Sequence, residues 1–296
     1  MAGSSSSITN ALRAEVLSEA LPYIQRFRSQ IFVIKFGGSA MEDHSLVDSL
    51  LRDVVFLEAV GINPVLVHGG GKAISEAMLK AGLETRFIGG LRVTDEASIA
   101  LVQSVLDHDI NPTIVGTINR YGGSAVGLSG RDALIGRKQQ PVKAADGTLV
   151  DLGRVGEVIS VDTEPLSAII QREQVPVVSP VARDERGESL NINADLAASA
   201  IAVALRASKL IYLSDVLGIC LDPSDPKTLL PTVNSAQRNE LIAQGVISGG
   251  MLPKVTSAVE ALVAGVSKIH LIDGRIPHAL LLEIFSDEGI GTEIVL

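Results

Sequence analysis

Short apolar runs alternate with stretches of helical periodicity along most of the 296 residues. The apolar runs are rich in Val, Ile and Leu and fall at 31–36, 64–68, 125–129, 155–161, 175–179, 208–214, 267–272 and 293–295. Helical spacing is predicted over 45–60, 73–81, 95–109, 163–173, 194–206, 235–244, 253–265 and 277–286. Continuous apolar runs of strand length mark strands buried on both faces. Their alternation with helices predicts a parallel sheet with helices on both sides. Composition agrees: the chain is 46% hydrophobic but only 3% aromatic, without Trp, so aliphatic side chains must build the core. Around 86–92 and 136–152, glycines and short polar runs predict hairpins able to lid a site. Near 180–187, Pro180, Arg183-Asp184-Glu185-Arg186 and Gly187 mark a boundary between lobes at 29–182 and 183–296. No internal repeat is visible.

Before the first strand, Ile8, Leu12, Val16, Ala20 and Ile24 recur at i+4, predicting a helix over about 8–28. Pro22 is expected to kink or split it. Residues 1–7 are expected to be disordered. The helix is not needed to build the sheet, so it either packs on its own domain or serves as an oligomerisation arm.

The formal charge of −9 argues against nucleic acid or an anionic membrane as the main partner. Any phosphate site must then be a local positive focus. Cys220 is the only cysteine, which excludes an internal disulfide and fits a reducing compartment. The start has neither a basic nor an apolar region of a secretory signal. No window reaches ~18 consecutive apolar residues. The expectation is a cytoplasmic protein, or a plastid stromal one after loss of a transit peptide.

Two strands run into glycines. Ile31–Phe36 leads into Gly37-Gly38-Ser39, and Pro64–His68 leads into Gly69-Gly70-Gly71 just before a helix. Such turns expose backbone N–H groups and a helix N-terminus, which together attract anions. Two cradles at one sheet edge suit phosphoryl transfer between two anionic molecules. Lys35 stands at the end of the first strand, where a charge is costly unless its head group emerges at the sheet edge. Lys254 follows a third glycine turn, Gly249-Gly250, with Pro253 placed for the first turn of a helix. A lysine there opposes the helix dipole unless an anion is bound. Asn191, Asn193 and Asp195 open another helix, where Asn and Asp also serve as caps. Arg92 lies on a loop before a helix and offers bidentate recognition of a carboxylate, although loop arginines are commonly solvated. His68 reads as structural. Neither standard nucleotide fingerprint is present, nor a nucleophile triad or Cys/His metal cluster.

Lys35-Phe36-Gly37-Gly38-Ser39, His68-Gly69-Gly70-Gly71, Asn191-Ile192-Asn193-Ala194-Asp195 and Gly249-Gly250-Met251-Leu252-Pro253-Lys254 occur in this order. Together they resemble the amino acid kinase family, in its branch that phosphorylates N-acetyl-L-glutamate, from about residue 20 onward. The resemblance implies an α/β open αβα sandwich with a mainly parallel central sheet. It implies an N-lobe for acetylglutamate binding and dimerisation, and a C-lobe for ATP. It casts Lys35 and Lys254 as transition-state stabilisers and Asp195 as their organiser. Gly70, Gly71, Arg92, Asn191 and Asn193 match substrate positions. Gly37, Gly38, Ser214, Asp215, Gly218, Gly250 and Met251 match the nucleotide site, with Mg²⁺ alongside ATP. The substrate's γ-carboxylate, with a pKa near ~4.3, needs no general base.

The tail from His270 to Arg275, with His278, Glu283 and Gly289-Ile290-Gly291-Thr292, resembles the arginine-inhibited members. In those, an N-terminal helix interlaces three dimers into a hexamer. Tyr23, Lys209, His270, Glu283 and Gly289 are the implied arginine residues; His270 also reads as a satisfied strand histidine and Glu283 as a solvated helix face. Some members in oxygenic phototrophs respond to the PII signalling protein, a partner on which the residues here are silent. The competing readings are a sister kinase acting on aspartate, carbamate or UMP, a non-catalytic arginine sensor, and more distantly a dehydrogenase.

Overall fold

The computed structural model describes residues 9–41, 43–144, 146–249 and 251–296. The expectation for residues 1–7 therefore lies outside the described residues. The helices are α1 (Asn10–Phe27), α2 (His44–Ala59), α3 (Gly71–Lys80), α4 (Glu96–Ser104), α5 (Asn111–Arg120), α6 (Glu164–Ile170), α7 (Ala194–Ala204), α8 (Ser235–Ala243), α9 (Met251–Val263) and α10 (Ala279–Ile284). The strands are β1 (Ile31–Phe36), β2 (Asn63–His68), β3 (Phe87–Ile88), β4 (Leu91–Arg92), β5 (Ala125–Leu128), β6 (Leu134–Lys138), β7 (Val142–Lys143), β8 (Leu149–Val150), β9 (Val155–Val161), β10 (Val175–Val178), β11 (Val181–Arg183), β12 (Ser189–Ile192), β13 (Lys209–Ser214), β14 (Thr232–Val233), β15 (Lys268–Asp273) and β16 (Thr292–Ile294).

The main sheet has eight strands in the order β14-β16-β15-β13-β1-β2-β10-β5. All neighbours are parallel except β15 and β16. Alternation along β1 sorts its side chains onto two faces. Phe32, Ile34 and Phe36 pack with Leu50, Leu51, Val54 and Leu57 of α2, Ile114 and Ile118 of α5, and Leu280 and Ile284 of α10. Val33 faces the other core, with Ala197, Ala198 and Ile201 of α7 and Val255, Ala258 and Leu262 of α9. The small residues of α7 let it lie close to the sheet. Because β1, β2, β13 and β15 are parallel, their C-terminal ends share one edge.

Three expectations are corrected. The segment predicted as a strand at 155–161 does not join the main sheet. It is β9 of a closed four-stranded barrel, β11-β12-β9-β6. Its mates β6, β11 and β12 are short, and Gly136 sits where an added Cβ would lie 3.1 Å from Ala182, so their pattern is too brief to read. The helix predicted over 95–109 changes register at Ser104 into a π-helical stretch, Val105–Ile110, and continues as α5. Pro112 and Gly116 hid α5 from a propensity reading. Finally, of the two outcomes expected at Pro22 the split does not occur, since α1 runs unbroken through it. Both predicted hairpins form, as β3–β4 and β7–β8, and the expected lobe boundary at 182/183 falls inside β11.

Candidate active site

A cleft of about 910 Å³ opens at the C-terminal edge of the parallel strands. This is where open α/β sheets bind ligands. Its walls include Lys35, Gly38, Gly69, Gly70, Gly71, Arg92, Asn191, Asn193, Asp195 and Asp215.

The floor is built on Asp195, in the first turn of α7. Its Oδ1 lies 2.9 Å from Lys35 Nζ and its Oδ2 3.0 Å from Lys254 Nζ. Burial pushes the Asp195 carboxyl up, but the two ammonium groups and their hydrogen bonds outweigh this and hold it below the usual carboxylate range. Asn193 caps α7, its Oδ1 accepting from the Asp195 and Leu196 amides at 2.8 and 3.3 Å. The cap and cleft readings of Asn193 thus coincide, since the residue also lines the cleft.

Gly37 and Gly69 meet back to back. A Cβ on Gly37 would lie 3.1 Å from Lys35 Nζ and 3.5 Å from Gly69 Cα. At Gly70 a Cβ would come within 2.8 Å of Leu106 and Ile110, both carried by the π-helical stretch. Bare backbone is therefore required at the turn. Beneath it, buried His68 is bonded on both ring nitrogens, Nδ1 to Gly69 O at 3.0 Å and Nε2 to Asn111 Nδ2 at 3.3 Å. These partners make Nδ1 the protonated nitrogen and Nε2 the acceptor from the Asn111 amide. Burial pushes the His68 pKa down to about 4, so it is neutral and structural, as its sequence context suggested.

Arg92 is 6% exposed. It donates to Gly71 O at 2.6 Å and Ser75 Oγ at 2.8 Å, and lies 4.6 Å from the Phe87 ring centroid. It is a clamped guanidinium at the mouth of α3, not a solvated loop arginine. Across the cleft Asn191 donates to Thr94 Oγ1 at 3.0 Å. Sequence reading missed Ser75, Thr94 and Asn111, because single hydroxyls and amides carry no spacing signal. It also missed Tyr212, fully buried below the floor, whose hydroxyl lies 3.5 Å from Asp195 O and 3.4 Å from Ser257 Oγ.

The expected nucleotide residues are less concentrated. Asp215 and Gly38 line the cleft, but Gly218 and Met251 are not among its lining residues. Gly218 has φ +151, and a Cβ there would meet Leu229 at 2.8 Å, so packing alone demands glycine. Gly250 lies outside the described residues.

A second polar cluster sits at the opposite edge of the sheet. Lys209 Nζ is 2.8 Å from His270 Nε2, and His270 Nδ1 is 2.6 Å from Glu283 Oε1. Glu283 Oε2 accepts from the amides of Ile290 at 2.7 Å and Gly291 at 3.1 Å. Burial lowers the Lys209 pKa to about 8, with Lys268 adding to the effect. Burial also disfavours a charged His270, and nearby Lys209 does the same. Burial would raise Glu283, but His270 and the two amides hold it below the usual range. Gly289, at φ +64, leaves room for the Glu283 carboxylate, which a Cβ would meet at 2.7 Å. Tyr23 of α1 donates to Asp287 just beyond α10. All five residues expected around arginine thus fall in one region.

The chain belongs to the amino acid kinase family, which its residues 30–273 match. Narrower likenesses run along nearly the whole chain. An acetylglutamate kinase of Akkermansia muciniphila is 51% identical over 284 residues, covering 96% of this chain and 95% of that protein. One from Methanocaldococcus jannaschii is 50% identical over 287 residues, covering 95% and 96%. One from Thermosynechococcus vestitus is 48% identical over 288 residues, covering 97% and 96%. Among solved structures, N-acetylglutamate synthase from Neisseria gonorrhoeae, complexed with coenzyme A and N-acetyl-glutamate, matches with a TM-score of 0.82 at 27% identity. That match covers 96% of this chain but 63% of the synthase chain. Giardia carbamate kinase, at 17% identity and a TM-score of 0.66, shares the fold.

Proposed function

We propose that this chain phosphorylates the γ-carboxylate of N-acetyl-L-glutamate with ATP, the second step of arginine biosynthesis. The observation that carries the reading is one carboxylate gripping two lysines at the edge of a cleft walled by glycine turns. Identity near 50% to acetylglutamate kinases along almost the full chain supports it.

Gly70, Gly71 and Arg92 of the N-lobe, residues 29–182, hold the acetylated amino acid together with Asn191 and Asn193. Ser214, Asp215, Gly218, Gly250 and Met251 of the C-lobe, residues 183–296, serve the nucleotide together with Gly37 and Gly38. A γ-carboxylate oxygen attacks the γ-phosphorus as the bond to the β,γ-bridging oxygen breaks, giving an acyl phosphate and ADP. The nucleophile is already ionised at pH 7. What remains is positioning and charge neutralisation. Lys35 and Lys254 supply positive charge to the transferring group, and Asp195 fixes where they stand. Among the described residues no group of three or more ligating side chains forms a metal cage. Mg²⁺ takes most of its ligands from phosphate and water, and Asp215 is one of the carboxylates lining the cleft that could join them. When bound, it would neutralise phosphate charge.

The cluster of Lys209, His270, Glu283 and Gly289, with Tyr23, serves as an inhibitory arginine site. Glu283 suits a guanidinium and Lys209 a carboxylate. The exposed apolar side chains of α1, Leu12, Val16, Leu17 and Leu21, support a hexamer in which α1 helices interlace dimers. Cytoplasm, or plastid stroma, is the compartment. No helix among the described residues is long and apolar enough to cross a membrane. Regulation by PII stays open to a direct binding assay.

An acceptor panel tests the function. ADP release with Mg·ATP is expected with N-acetylglutamate and not with aspartate, carbamate or UMP. Turnover of one of those in its place would reassign the chain to a sister kinase.

A further inference from the structure

Asp53 is the one acidic residue of α2 with no exposed surface. Its Oδ1 lies 2.6 Å from His278 Nδ1, and its Oδ2 makes no hydrogen bond of good geometry among the described residues. His278 immediately precedes α10 and adopts φ 59, ψ 30, a left-handed conformation uncommon outside glycine. Its backbone N–H donates to Ser49 Oγ at 2.8 Å. Ser49 and Asp53 are four residues apart, so one face of α2 holds the residue that starts α10. Strained backbone of this kind persists only where its surroundings over-determine it.

The two helices joined here lead to different sites. α10 carries Glu283, the anchor of the Lys209–His270 chain. α2 carries His44 and Val47 in the cleft wall and follows directly on the Gly38–Met41 turn. Asp53 and Val47 are six residues apart on one rigid helix, about 9 Å. Between the sites, β13 runs from Lys209 at the cluster to Ser214 near the cleft, about 17 Å at strand rise. Leu50, Leu51 and Val54 pack with Leu280 and Ile284 in one core, so α10 cannot shift without loading α2. The polar pair fixes the direction of that load. Leu and Ile contacts can slide, whereas a buried carboxylate held by His278, with the Leu280 and Leu281 amides beside it, cannot release α10 cheaply.

We infer that the Asp53–His278 pair is a positioning element that transmits occupancy of the Glu283 cluster to the active-site cleft. The inference rests on reading that cluster as the arginine site. A ligand drawing the Glu283 carboxylate from His270 moves α10. The tether at the residue preceding it then carries that movement into α2 and the turn beside Lys35.

The test separates binding from its consequence. His278→Gly keeps the left-handed backbone and the Ser49 bond but removes the imidazole. Because that leaves Asp53 buried without its partner, Asp53→Asn and the double variant are made alongside. Arginine binding is measured by calorimetry and inhibition by ADP release, on the full-length assembly. The expected result is arginine affinity within about threefold of the parent protein, uninhibited kcat within about twofold, and half-inhibition at least tenfold higher in arginine or incomplete at saturation. A variant whose inhibition still tracks its binding as in the parent would overturn the coupling role and leave the arginine site standing. A parent protein that binds no arginine would overturn both.

Discussion

Lys35 on β1 and Lys254 on α9 share the two oxygens of a single carboxylate, Asp195, at 2.9 and 3.0 Å. Two strongly hydrated ammonium groups repel each other at this range, and the carboxylate between them makes the pairing affordable. Lys35 is set by the end of a buried strand, and Lys254 by the first turn of a helix. Both are therefore held on Asp195, which lines the cleft, before any phosphate arrives.

Losing either ammonium should slow the chemical step more than it weakens binding. Lys35→Ala and Lys254→Ala are each expected to lower kcat by roughly 10²–10³, by analogy with deleting one oxyanion donor. Steady-state ADP release measures this. Near-normal kcat in either variant would remove that lysine from the mechanism.

At Gly70 a methyl group would collide with Leu106 and Ile110. Gly70→Ala should force the glycine turn off the π-helical stretch, costing on the order of 1–3 kcal/mol of stability. The KM for acetylglutamate should rise at least tenfold, with a smaller change in the KM for ATP. Equal effects on the two would argue that the turn does not contact the acetylated substrate.

Folded-state burial holds His68 neutral to a pKa of about 4, against about 6.5 when exposed. Between those values the unfolded chain takes up a proton that the folded chain refuses. The contribution is intact above pH 6.5 and is lost as the pH falls toward 4. It amounts to about 2 kcal/mol between pH 7 and pH 5. Urea unfolding at both pH values should show this loss, and His68→Gln should reduce the difference by about that amount. An unchanged pH dependence in the variant would mean that His68 is not the group responsible.

Deleting residues 1–28 should leave active dimers that low arginine no longer inhibits. Leu12, Val16, Leu17 and Leu21 of α1 are about half exposed or more, with Leu17 at 69%, while Tyr23 reaches Asp287 beside the Glu283 cluster. Removing the helix takes away both the proposed hexamer contact and one wall of the proposed arginine site. Light scattering gives the mass. A truncated protein that remains hexameric would contradict this role for α1.

Much of the site was legible because its chemistry sits in local patterns. Lys35 before Gly37, His68 before Gly69, and Asn193 opening a helix are each readable within five residues. The order of those patterns gave the family. The barrel was not legible, because β11 and β12 are too short to show periodicity and acquire meaning only by pairing with β6 and β9. Nor was the π-helical stretch, whose register depends on Leu106 and Ile110 finding Gly70 across the chain. Gly218 was legible only as part of a family-like motif; the demand for glycine made by Thr292 and Leu229 has no local signature. The Asp53–His278 tether joins residues far apart in sequence and has no local signature.

The most direct test of the central claim is to trap the product. Turnover with Mg·ATP and N-acetylglutamate in the presence of hydroxylamine should yield a hydroxamate in step with ADP, because an acyl phosphate is captured as it forms. ADP release without hydroxamate, or no ADP release with this acceptor, would contradict phosphoryl transfer to the γ-carboxylate.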